Sequence, residues 1–350
     1  MAQKLGYLEQ ASGTRVFVVP GNHDILNPWA RRFEGKLQQP EDSITRDDFK
    51  KIYREFGYAE AISEDSSSLS YLAAASEDVW LLMIDTNEYR LNRALGRPGS
   101  RDLLAHGTLE WITQCSTRAT ERGVQVITVM HHNLVDHSEL LHRGYTLDNG
   151  DAVKDLFDSL GLTIILSGHL HIQDIKKIGG GSTTMYDIAT SALSVYPEQY
   201  GVLKRYRSGV VDYSTARADV ERWAREAGAR HESLRTFRTF SEASFVDTSY
   251  KKTYAALTAV GRYQDREKQA MARTMSLLNA HYFAGTAAAV KDAIVGSEGY
   301  RLWTIATEPA FLRRYVLGMV PEAAADHNHV VIPAPPAGYV DRSRSTARPR

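Results

Sequence analysis

The order of apolar and polar positions splits the chain near residue 215. Before that point, short β-branched runs alternate with stretches of helical spacing. Strand-type runs fall at 15–19, 69–73, 79–85, 124–130 and 162–166, then at 174–178, 183–188, 201–206 and 209–213. That alternation predicts a layered α/β domain over residues 1–214. Residues 109–122 read as a helix, and Leu5 and Leu8, three apart, suggest that the chain opens part-way through another. Beyond 215 the strand runs give way to helical patterns at 217–227, 250–260, 265–282 and 307–317, the third marked by Met271, Met275, Leu278 and Tyr282. These predict a mainly helical domain over 215–330. The Pro-rich, basic residues 331–350 predict a disordered tail. Gly179-Gly180-Gly181-Ser182 fits a hairpin loop, and it lacks the lysine and following helix of a phosphate-binding loop.

Composition changes this picture little. Apolar residues make up 43% of the 350, charged residues 24%, and Lys+Arg balance Asp+Glu at 42 each. No net field draws the chain to nucleic acid, which is not expected as a partner. No apolar run approaches the roughly 18 residues of a membrane span. The N-terminus lacks the apolar stretch of a signal peptide, so the chain as given reads as cytoplasmic, with an export signal conceivable upstream. Cys115 is alone and reads as buried packing.

The chemistry lies where three strand-type runs stop. Arg15-Val16-Phe17-Val18-Val19 ends at Pro20-Gly21 and leaves Asn22-His23-Asp24 on the loop beyond. Residues 124–130 run into His131-His132-Asn133, and residues 162–166 into Ser167-Gly168-His169-Leu170-His171. Ligands of α/β sheets bind beyond the carboxyl ends of strands, so three such deliveries point to one site. If 169–171 stays extended, His169 and His171 face the same side, about 6–7 Å apart at Cα. That spacing suits one ligand to each of two adjacent metals. Asn22 offers a neutral oxygen, and His23 could protonate a departing oxygen.

In this order, Gly21-Asn22-His23-Asp24, His131-His132 and Gly168-His169-Leu170-His171 resemble the calcineurin-like metallophosphoesterases. Residues 16–31, Ser191-Ala192-Leu193-Ser194-Val195-Tyr196-Pro197 and Tyr282-Phe283-Ala284-Gly285-Thr286 look like a bacterial cyclic-nucleotide phosphodiesterase subgroup with an added helical domain. The resemblance spans about residues 1–320. It implies a four-layer α/β/β/α sandwich, lacking its first strands here, and two divalent ions such as Mn, Fe or Zn. Asn22, His131 and His169 would bind the second metal, His171 the first, and His23 would be the proton donor. Asp24, Asp85 and His132 would support the site or face the substrate. The implied reaction is two-metal hydroxide attack on a cyclic nucleotide or similar small diester.

The family pattern also has Asp-x-His and Gly-Asp ahead of Gly-Asn-His-Asp, and residues 1–20 contain no aspartate or histidine. The expectation is therefore a truncated chain with at most one metal and impaired turnover. A non-catalytic remnant and a phosphomonoesterase are the alternatives. His137 and His142 read as loop residues near the substrate or merely polar. His106, His231, His281, His327 and His329 read as structural or surface, and Trp29 as rim packing or a stacking platform.

Overall fold

A computed structural model describes residues 1–99, 103–179 and 184–334. The chain begins with α1 (Ala2–Ser12), then a fully exposed hairpin of β1 (Arg31–Glu34) and β2 (Leu37–Pro40), and α2 (Arg46–Ile52). A reciprocal capping box between Thr45 and Asp48 starts α2. The α/β part continues through β3 (Ser63–Glu64), β4 (Tyr71–Ala74), β5 (Val79–Ile84), α3 (Asn92–Leu95), α4 (His106–Glu121), β6 (Gln125–Met130) and α5 (Gly150–Leu160). It ends with β7 (Ile164–Ser167), β8 (Asp174–Ile178), β9 (Met185–Ala189), β10 (Gln199–Arg205) and β11 (Val211–Arg217). The helical region holds α6 (Val220–Glu226), α7 (Glu232–Arg235), α8 (Phe237–Val260), α9 (Asp265–Phe283), α10 (Ala287–Val295), α11 (Glu298–Ile305) and α12 (Ala310–Gly318). Strand β12 (His329–Ile332) follows it.

The fold is mixed α/β. Its seven-stranded sheet runs β3-β4-β5-β6-β7-β9-β8, with β5, β6, β7 and β9 mutually parallel. Their carboxyl ends therefore share one edge. Side chains alternate between two cores, as the period-two geometry of a strand requires. Trp80, Leu82, Ile84, Met130, Ile165 and Met185 pack with helix residues that include Trp111, Cys115 and Phe157. Ile127, Ile164, Tyr186 and Ile188 pack instead against Val211, Tyr213, Val330 and Ile332 of a second, antiparallel sheet ordered β10-β11-β12. A Cβ at Gly201 would lie 2.5 Å from the Tyr213 ring, so the smaller sheet needs glycine there. The helical region has its own core around Leu257, Met271, Met275, Leu278, Trp303 and Val316.

Two expectations change. The run at 15–19 is not a strand. Phe17, Val18 and Val19 do pack on a core containing Ile25, Phe49 and Tyr71, but no ladder partner exists among the described residues. The Tyr71 hydroxyl instead donates to the Val18 carbonyl at 2.8 Å. Apolarity signalled packing, though these side chains are only partly buried; a strand also needs a neighbouring backbone. The expected tail gives its first two residues, Val331 and Ile332, to β12, where Ile332 is buried. Residues 335–350 of that tail, and residues 180–182 of the Gly-rich loop, lie outside the described residues.

Candidate metal centre

Four segments meet at the shared strand edge. β6 delivers His131 and His132, β7 delivers His169, β5 ends at Asp85-Thr86, and the 20–24 loop lies across them. His131, His132 and His169 form a cluster in which one ligand atom from each lies within 4.8 Å of the others. Asn22 joins it, its Oδ1 being 3.1 Å from His131 Nε2. That approach depends on Gly21, because a Cβ there would lie 2.9 Å from His131 Cε1.

Each ring is oriented by a neighbour. His169 Nε2 lies 2.8 Å from the Gly144 carbonyl. A carbonyl can only accept, so Nε2 carries the proton and Nδ1 keeps its lone pair. Tyr145 packs on the same ring at 4.7 Å between centroids. His132 Nδ1 is 2.7 Å from the Thr86 hydroxyl. Burial, then repulsion among the histidines, pushes His131 down to about 3. Burial likewise lowers His169 to about 4, and burial and its two histidine neighbours push His132 well below its ordinary value. All three rings are therefore neutral near pH 7, the state that ligates metal.

The 169–171 segment is not extended. His169 and His171 have φ of 64° and 59°, and Leu170 N–H bonds the Gly168 carbonyl at 2.7 Å. Left-handed backbone at two non-glycine residues is costly and concentrates at functional sites. The turn buries Leu170; His169 joins the cluster, while His171 is exposed and lies outside it. His171 still lies within electrostatic reach of His23, His131 and His169, and burial followed by the His23 charge lowers its affinity for a proton.

The remaining sequence-selected residues occupy supporting or rim positions. Asp85 is buried and accepts from Leu69 N–H, Asn87 N–H, Asn87 Nδ2 and, at 2.7 Å, the Tyr89 hydroxyl. Asn87 Nδ2 also reaches the Pro20 carbonyl at 2.9 Å, so Asp85 steadies the loop carrying Asn22. Burial raises the Asp85 carboxyl, against hydrogen bonds that favour its ionised form. Asp24 accepts from Gly21 N–H at 2.7 Å and closes the same turn. His23 is exposed, its ring 5.8 Å from that of half-exposed Trp29.

Sequence reasoning missed the support beneath the cluster. His137 is buried, with Nδ1 2.7 Å from Asp174 and Nε2 3.2 Å from Asp187. His327, read as structural or surface, pairs with Asp174. A carboxylate within the otherwise apolar, fully buried run of β9 was the available signal for Asp187.

Chemically, the cluster offers three neutral imidazoles and an amide oxygen. Among the described residues no carboxylate belongs to it. That donor set fits zinc or a similar borderline divalent ion better than magnesium or calcium. No helix among the described residues is long and apolar enough to cross a membrane.

Comparison with known proteins gives two family matches. Residues 1–173 match the calcineurin-like phosphoesterase family. Residues 219–326 match the C-terminal domain of cyclic nucleotide phosphodiesterase. A search among curated proteins returns no match. Calcineurin-like phosphoesterases use divalent metals, and the histidine cluster could hold one. On the two domain matches and the strand-edge histidines, the chain belongs to the calcineurin-like phosphoesterases, a hydrolase family, and carries a cyclic-nucleotide-phosphodiesterase-type C-terminal domain.

Proposed function

We propose that this chain is a divalent-metal-dependent hydrolase of small phosphodiesters, cyclic nucleotides among them. The carrying observation is the joining of His131, His132, His169 and Asn22 beside the exposed His23. One metal held by those four residues would withdraw charge from the phosphoryl oxygens. His23 donates a proton to the departing oxygen, and Asn27 Nδ2 fixes its loop by bonding the His23 carbonyl at 2.9 Å. Trp29 supports the nucleotide reading. Its Nε1–H bonds the Gly96 carbonyl at 3.1 Å, which leaves an anchored indole beside His23 for a base to stack on. His171, exposed beside the cluster, would meet the phosphoryl group. The balanced charge of the chain favours a small substrate over a nucleic acid.

The test is hydrolysis of a 3′,5′-cyclic nucleotide and of p-nitrophenyl phosphate by the zinc- or manganese-loaded chain. Cleavage of the diester over the monoester, slowed about 10²–10⁴-fold by His23→Ala, is expected. Preference for the monoester would make the chain a phosphomonoesterase. Metal binding without turnover of either substrate would leave a non-catalytic binding module.

A further inference from the structure

Beneath the cluster lies a buried chain of charges that the proposed chemistry does not use. It starts in the segment returning from the helical region, where His327 pairs with Asp174 on β8. The other oxygen of Asp174 lies 2.7 Å from His137 Nδ1. On its far side, His137 Nε2 is 3.2 Å from Asp187 on β9. Carboxylates face both ring nitrogens, with a hydrogen bond at Nδ1 and an ion-pair approach at Nε2, and this pair of charges holds the ring as an imidazolium.

Asp187 has three further contacts, and these give the chain its reach. Its Oδ2 accepts from Leu134 N–H at 2.8 Å and Val135 N–H at 3.0 Å, the amides just after His131-His132-Asn133. Its Oδ1 accepts from the Ser167 hydroxyl at 2.9 Å, two residues before His169. Ser167 Oγ in turn accepts from Asn133 Nδ2 at 2.7 Å. One carboxylate thus ties together the two loops that carry the cluster.

The helical region holds the other end at further points. Gln173 N–H bonds the Phe283 carbonyl at 3.1 Å, and Gln173 Nε2 bonds the His327 carbonyl at 2.7 Å. The Tyr282 hydroxyl reaches the His137 carbonyl at 3.3 Å. Gly285, at φ 67°, lets the helical chain come so close that a Cβ there would lie 2.8 Å from the Gln173 carbonyl.

We propose that His137, held between Asp174 and Asp187, is a positioning residue through which the helical region sets the geometry of the His131–His132–His169 metal site. His137 offsets the charges of Asp174 and Asp187 together, so that both carboxylates stay buried and Asp187 stays on the loop amides. His327 and Tyr282 hold His137 and Asp174 in register. The helical region thereby belongs to the metal site without contributing a ligand. The inference rests on the metal-site reading above, and it predicts ligand order even in the metal-free chain.

The test compares the full chain with His137→Gln, Asp174→Asn and His327→Gln, together with a control, His329→Ala. His329 lies on the same return segment but pairs with Asp212 on the exposed face. Zinc affinity is measured by competition with a chromophoric chelator, at a temperature where circular dichroism shows each variant folded. Hydrogen exchange of the amides at 131–135 and 167–169 is measured without metal. The expected result is zinc affinity about 10–100-fold weaker in the three network variants, as when the orienting partners of metal ligands are lost. Faster exchange in both loops should accompany it, with His329→Ala unchanged. Unchanged exchange and affinity in the network variants would overturn the proposal. Should His137→Gln fail to fold, His327→Gln, which leaves the buried pair intact, decides by the same two readings. Failure of the unaltered chain to bind zinc would overturn the metal-site reading, while the exchange measurement would still decide the coupling.

Discussion

Two buried histidine settings lie a few residues apart and do opposite things. At the end of β6, His131 and His132 face other histidines, and burial plus mutual repulsion strip them of protons. Further along the same loop, burial alone would also lower His137, but Asp187 and Asp174 outweigh it and raise the group to about 9. Asp174 is correspondingly driven well below the usual carboxylate range by His137 and His327, despite its burial. Desolvation favours the neutral ring in both places, so the fixed charge opposite the ring decides its state. The first setting yields lone pairs for a metal, and the second a cation that holds two strands and a loop.

The most forceful way to break the comparison is to make the second setting apolar. His137→Leu strands two buried carboxylates without a counter-charge and should cost about 3–5 kcal/mol of stability, read by urea denaturation. A loss under about 1 kcal/mol would mean that the carboxylates are not paired as described. In the first setting, His169→Ala should abolish tight zinc binding, by more than about 100-fold, with little loss of stability. If zinc binding persists, the three rings do not act together. Gly21→Ala is subtler. Its methyl presses on His131 and should weaken zinc about 10-fold while leaving His137 and its pairs untouched.

Changing pH is the gentlest probe. A group raised from 6.5 to about 9 on folding contributes stability that is full below pH 6.5 and fades as pH rises through 9. The groups facing His137 are Asp174, Asp187 and Tyr282, with His327 and Lys176 beyond on Asp174. Melting temperatures should therefore fall between pH 7 and 10 more steeply in the unaltered chain than in His137→Gln. Parallel curves would remove the imidazolium from this account.

Much of this was legible in the order of residues. The runs ending in His131-His132 and His169 are neighbouring parallel strands whose carboxyl ends share one edge, whereas the run before Asn22-His23 reaches that edge without being a strand. Met271, Met275 and Leu278 marked the buried face of α9. The exposed hairpin β1–β2 was illegible, since it has no alternation of buried and exposed positions to read. His169 and His171 were paired by a spacing that assumed extended backbone, and His132 was placed beside the site only by the family resemblance. The left-handed turn through 169–171 was invisible, because nothing in His-Leu-His demands it.

What the sequence determined by itself was therefore the layered α/β plan, the helical region and the family's three histidine-bearing motifs, all of which depend on neighbours in the chain. Only the tertiary structure decided that His132 stands with His131 and His169 while His171 turns to the rim. It alone decided that His137 is a buried cation and that His327 reaches back to Asp174 beside it. Ligand geometry and protonation state depend on groups opposite in space, and those groups, Thr86, Gly144, Asp174 and Asp187, come from separate loops and strands that meet only on folding.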